Sequence, residues 1–209
     1  MPRHSFSFAA HIQDAVRHHV SAAIGSIQPE RYAQESPYLA ALAHSLEGVV
    51  YDADDGFVQI KSTVVSDRGR GAAESWMGAD LAITAHIEQG GAMIDKAILL
   101  QGKLGGMEEL SSKERTELVH QIENMKKYTR SPKIIFVRSH DGLRLPKVVS
   151  GSRVLEGRSP REYDLAQYFV ARIMTTLDGD TRPRFVDAVQ HSSMLQLRLL
   201  AKSVRRGTP

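Results

Sequence analysis

The chain has 209 residues and a mass of 23.1 kDa, a length suited to one domain with a lobe or extension. Apolar residues make up 42% and charged residues 24%, an ordinary globular composition that leaves no compositional reason for disorder, and the absence of cysteine excludes disulfides and thiolate metal centres. A formal charge of only +3 excludes a histone-like binder.

A cysteine-free chain fits a reducing cytoplasm, which is the expected location. No window approaches the ~18 consecutive apolar residues of a membrane-spanning helix, so no membrane association is expected. Met1 to Phe6 lacks the apolar stretch of a secretory signal. Basic charge gathers at the far end. Arg182, Arg184, Arg198, Lys202, Arg205 and Arg206 face a single acid, Asp187. Such an end can attract phosphate; it also fits a solvated helix face with a frayed tail.

In chain order, Ile12, Val16, Val20 and Ile24 recur every four residues and predict a helix over about Phe8–Ser26. Leu39, Leu42 and Leu46 predict a second from Pro37 to about Leu46. Asp52 to Gly56 is turn material, and Phe57 to Val65 alternates and is rich in β-branched residues, which predicts a strand. Ser66 to Gly71 is a polar glycine-rich loop. Ala79–Ile87 and Met93–Gln101 flank Gln89-Gly90-Gly91 and read as a hairpin, with Ala97 to Leu100 as a stretch buried on both faces. Ser111 to Glu114 has the form of a capping box, opening a helix that carries Leu118, Ile122 and Met125. Lys133–Val137 predicts a core strand, His140-Asp141-Gly142 a turn and Leu143–Val149 its hairpin partner. Leu165, Phe169, Ile173 and Leu177 predict a helix over Arg161–Leu177, and Arg184–Arg205 is expected to be helical as well. The expected architecture is a mixed α/β (α+β) core over residues 51–180, with helical extensions over 1–50 and 181–209.

Chemistry concentrates around Asp80 and Gln101-Gly102-Lys103. Gln101 and Lys103 lie two apart and share one face of their strand. Ten residues separate Asp80 from Gly90, and ten separate Gly91 from Gln101, so a closed hairpin brings Asp80 beside Gln101. Phosphodiester hydrolysis asks for a hard cation on oxygen ligands and a nearby ammonium. A lysine directly after a buried run is costly unless paired. A carboxylate and a metal account for it; so does a strand that simply leaves the core at Lys103.

The array Gly78-Ala79-Asp80, hairpin, Gln101-Gly102-Lys103 resembles the PD-(D/E)XK nuclease superfamily, and its glutamine variant is similar to Mrr-like restriction endonucleases and related phage-defence nucleases. The resemblance covers about residues 57–150 and implies a restriction-endonuclease-like mixed sheet flanked by helices. It also implies a Mg²⁺- (or Mn²⁺-) dependent endonuclease, cutting DNA in restriction or anti-phage defence. Asp80 would be the main metal ligand, Gln101 a ligand through its oxygen, Gly102 a carbonyl donor, and Lys103 the group that orients the attacking water. Glu74 matches the family's upstream glutamate, and Gln121 a helix glutamine found in some members. The chain departs from the pattern at Ala79, where the family has proline, and at Gln101, which replaces an acid and removes one negative charge from the metal shell. A homodimer, or a partner protein of a defence system, is the expected assembly.

Other readings stand beside these. Glu74 can be a surface charge and Trp76 a core anchor. Arg68 and Arg70 are candidate phosphate contacts or merely exposed loop residues. His86 and His140 have no second ligand at a recognisable spacing. The same core also suits an RNA-cutting toxin, or a non-catalytic nucleic-acid-binding or assembly module.

Overall fold

A computed structural model describes residues 6–63, 77–137, 146–159, 161–175 and 177–204. Helix α1 (Ala10–Gly25) buries Ile12, Val16, Val20 and Ile24, the predicted stripe, and α2 (Glu35–Ser45) buries Leu39 and Leu42. The strands are β1 (Gly48–Ala53), β2 (Gly56–Thr63), β3 (Leu81–Gln89), β4 (Ala92–Lys103), β5 (Lys133–Phe136), β6 (Lys147–Ser150), β7 (Tyr163–Asp164) and β8 (Gln196–Ser203). They form one mixed sheet in the order β1-β2-β8-β3-β4-β5-β6-β7, with β3–β8 and β4–β5 parallel and the remaining pairs antiparallel.

Each face of the sheet has its own core. On one face α1, α2 and the later α5 (Leu165–Tyr168) pack on Val58, Ile60, Ile83, Ile98 and Leu100. On the other, α3 (Ser112–Tyr128), α4 (Gly151–Leu155) and α6 (Pro183–Gln190) pack on Ala82, Ala97, Leu99 and Ile134. This division explains why Ala97 to Leu100 is apolar without alternation: every side chain in the run meets a helix layer, and none is more than 1% exposed. The capping box is present, Ser111 Oγ accepting from Glu114 N and Glu114 accepting from Ser111 N at 2.8 Å.

Three sequence expectations are corrected. The Asp52–Gly56 turn is shorter than read: Gly48–Ala53 is a strand, and only Asp54 and Asp55 lie between it and β2. The Arg161–Leu177 helix is confined to Leu165–Ile173. Asp164 caps it, its carboxylate accepting from Gln167 N at 2.8 Å, while Tyr163–Asp164 pairs with β6. The helix then widens into a π turn over Phe169–Ile173, and Leu177 is exposed. At the end of that turn the chain is held by Lys96, whose buried Nζ donates to the carbonyls of Arg172, Thr175 and Asp178.

The third correction is the largest. The 181–209 segment is not a helical extension: α6 ends at Gln190, and Gln196–Ser203 inserts between β2 and β3 as β8. Its burial has period two. Leu197, Leu199 and Ala201 face inward while Arg198 and Lys202 face out, Lys202 pairing with Glu88 at 2.9 Å. Part of the basic end is thus the wet face of a central strand. Arg205 and Arg206 lie outside the described residues.

Candidate functional site

The site is built by the β3–β4 hairpin. Gly90 and Gly91 both take positive φ (57° and 78°), the two-residue turn whose twist suits paired strands. The register runs from Gln89↔Ala92 to Leu81↔Leu100, and Asp80 N donates to Leu100 O at 3.0 Å. Asp80 is thereby set opposite Gln101. Its Oδ2 accepts from Gly102 N at 2.8 Å and from Gln101 Nε2, and the same Nε2 donates to Gly102 O at 3.2 Å. Gln101 is 3% exposed and Lys103, next on that face, 7% exposed.

Two glycines make this approach feasible. A Cβ on Gly102 would lie 2.8 Å from Leu39 Cδ1 and 3.2 Å from Asp80 Oδ2. Gly78, at φ +72°, passes so close to α3 that a Cβ would sit 2.7 Å from Gln121 O. Together they press the Asp80 segment onto α3 on one side and the Gly102 segment onto α2 on the other.

Sequence reasoning missed Glu35. This first residue of α2 places its Cβ 3.3 Å from where a Cβ of Gly102 would stand, and its Oε1 accepts from Leu104 N at 3.4 Å. An acid in a first helical turn ordinarily reads as a favourable charge at the helix N-terminus, and nothing local ties residue 35 to residues 102–104.

Lys103 faces the start of α3. The carboxyl of Glu114 is held below its usual pKa by the Ser111 hydroxyl, then by the Ser111 N–H, with the positive charge of Lys103 adding to the effect. Gln121 is partly buried, and its Oε1 has no hydrogen-bond partner among the described residues. Glu74, Arg68, Arg70, Trp76 and His140 lie outside the described residues. His86 pairs across the hairpin with Asp95 at 2.8 Å.

The donor set suits a hard cation in one respect. Gln101 Nε2 stands at the point on which the Asp80 carboxylate and the Gly102 carbonyl converge, where two hard oxygens could meet a metal. Turning the Gln101 amide over would bring its Oε1 to the same point as a third oxygen. Among the described residues no group of three or more His, Cys, Asp or Glu is placed to hold a metal, so the shell would be completed by amide, carbonyl and water oxygens.

A second charged cluster, also missed, lies nearer the other end of β5. Lys133 Nζ meets Asp178 Oδ1 at 2.9 Å, and Arg172 Nε meets Asp178 Oδ2 at 3.1 Å. Beside it Lys96 is 1% exposed, and burial lowers its pKa to about 7, against an opposing effect of Asp178. No family model, curated protein or solved structure matches the chain.

Proposed function

We propose that the chain is a metal-dependent endonuclease with a restriction-endonuclease-like core, cutting DNA at a centre formed by Asp80, Gln101, Gly102 and Lys103. The observation that carries this reading is the convergence of the Asp80 carboxylate and the Gly102 carbonyl on one point, with a buried lysine next along the strand. Bound there, Mg²⁺ or Mn²⁺ would supply Lewis acidity and lower the pKa of a water. The chain's own part is placement. The Gly102 N–H fixes Asp80 Oδ2, the packing of Gly102 on Leu39 fixes the strand, and Lys103 brings a positive charge to offset that developing on a phosphoryl group. Glu35 is a candidate to hold a water at the rim, and Glu74 to complete the shell.

The test is a cleavage assay on plasmid, linear duplex, single-stranded DNA and RNA in Mg²⁺, Mn²⁺ or EDTA, beside Asp80→Ala. Metal-dependent cutting that disappears in the variant is expected. Cutting of RNA alone would replace DNA by RNA in the proposal. The second reading, a nucleic-acid-binding module without catalysis, is favoured by an amide, Gln101, rather than an acid beside Asp80, and it requires binding that survives Asp80→Ala without any metal-dependent product. Two copies, one per strand, are the expected assembly for duplex cleavage, to be checked by sedimentation with and without DNA.

A further inference from the structure

A cavity of about 340 Å³ opens beside β5 and β6, and four cations against one carboxylate line it among the described residues. Lys133 is buried at its floor, Arg172 is half-buried, and Arg153 and Arg161 stand exposed at its rim. The one acid, Asp178, is already engaged by both Lys133 and Arg172, so its charge is spent inside the wall. Arg153 and Arg161 have no such partner among the lining residues. Concave walls and low-dielectric surroundings concentrate this surplus positive field.

The cavity is also preformed. Arg161 and Arg172 both lie over the Tyr163 ring, at 4.9 Å and 5.4 Å from its centroid, so an aromatic plate holds two guanidiniums toward one space. Lys133 and Ser150 are register partners on β5 and β6, and Ser131 adds a hydroxyl. Tyr168, 1% exposed, lines the same space beside Asp178; burial, together with that carboxylate, raises the pKa of the phenol.

From the charge surplus and the forked donors, we infer that this cavity binds a small phosphate-bearing anion, seated between Arg153, Arg161 and Arg172. Guanidinium forks match the geometry of phosphate oxygens, and the volume admits a phosphate with a modest organic group rather than a polymer. The site is distinct from the proposed catalytic centre. Lys133 pairs with Leu100 and shares its face of the sheet, whereas Gln101 and Lys103, paired with Ile134 and Phe136, lie on the opposite face. The inference does not rest on nuclease activity.

Isothermal titration of the full chain with inorganic phosphate and with a nucleoside diphosphate, at constant ionic strength, tests it. Saturable binding of at least one is expected. Arg153→Ala and Arg161→Ala, both at exposed positions, should each weaken it by about tenfold, the scale of one lost charge-assisted contact. Asp80→Asn should leave it unaltered. Tighter binding of the diphosphate would assign a nucleotide; equal binding would assign the phosphate group alone. No binding of either probe, binding that persists in the Arg153/Arg161 double variant, or binding abolished by Asp80→Asn would overturn the inference.

Discussion

Gly102 N donates to Asp80 Oδ2 at 2.8 Å across the hairpin, so a backbone amide holds the carboxylate at the centre of the site. Gln101 supplies the second donor to that oxygen. Putting a second carboxylate at position 101 should therefore have opposite effects with and without metal. In Gln101→Glu, two like charges would crowd one point, and the thermal midpoint in EDTA should fall by about 2–4 °C, roughly 1 kcal/mol for a chain of this size. Mg²⁺ should restore it and bind more tightly than to the parent. Calorimetric scans with and without Mg²⁺ read both; a midpoint indifferent to Mg²⁺ would count against the metal centre.

Lys103→Met should retain the fold, because the methionine keeps most of the buried stem. If Lys103 offsets charge developing during phosphoryl transfer, single-turnover cleavage should fall on the order of 10²–10³-fold. Unchanged cleavage by a folded Lys103→Met would remove the lysine from the proposed chemistry.

Lys96 should leave a signature in the pH dependence of stability. Its folded-state pKa, about 7, lies below the ordinary 10.5, so between those values the unfolded chain binds more protons than the folded one. Stability from this group then rises with pH through that window, by at most about 1.4 kcal/mol per pH unit, and the penalty is complete below pH 7. Urea unfolding of the parent and Lys96→Met at pH 7, 8 and 9 should show a difference that shifts in the parent's favour as pH rises. A constant difference would mean that Lys96 stays charged throughout.

Gly78→Ala combines a left-handed φ with a Cβ placed 2.7 Å from Gln121 O. A cost of about 1–3 kcal/mol from strain alone is expected. Gly25→Ala, at the end of α1 with open space around the added carbon, should be neutral or stabilising by about 0.4–1 kcal/mol. Equal midpoints for the two variants in guanidinium unfolding would contradict the close packing of residue 78 on α3.

Asp178→Ala would leave Lys133 buried without its carboxylate and Arg172 without one of its partners. A loss of about 3–5 kcal/mol is expected, and Lys133→Met in the same background should recover part of it. A double-mutant cycle on chemical denaturation measures the coupling; no recovery in the double variant would mean the pair is not what stabilises this corner.

Much of the fold was legible where one signal was strong and local. The four-residue stripes of α1 and α3, the Ser111–Glu114 box and the Gly90-Gly91 turn each carry their own geometry, and the hairpin count alone sets Asp80 opposite Gln101. The failures share a cause. Leu197, Leu199 and Ala201 alternate, but Met194, Leu197 and Leu200 also recur at helical spacing, and only the pairing with β2 and β3 decides between them. Leu177 fits the helical stripe of Leu165, Phe169 and Ile173, yet the helix ends at Ile173, and its end and the segment after it are held by Lys96, about eighty residues away, through the carbonyls of Arg172 and Asp178. Glu35 and the Asp178 cluster were invisible for the same reason: their meaning comes from neighbours brought by the topology, and no spacing along the chain encodes it.

The place of β8 also sets an order of events. Until Gln196–Ser203 is synthesised and seated, the hairpins β1–β2 and β3–β4 share no hydrogen bonds, and β2 and β3 each present an unsatisfied edge. A nascent chain therefore carries two separate half-sheets, and the step that joins them brings together residues more than a hundred positions apart. Such long-range closure is slow, and the open edges are available to other molecules while it lasts, so assembly of this sheet is most vulnerable in the interval just before β8 goes in.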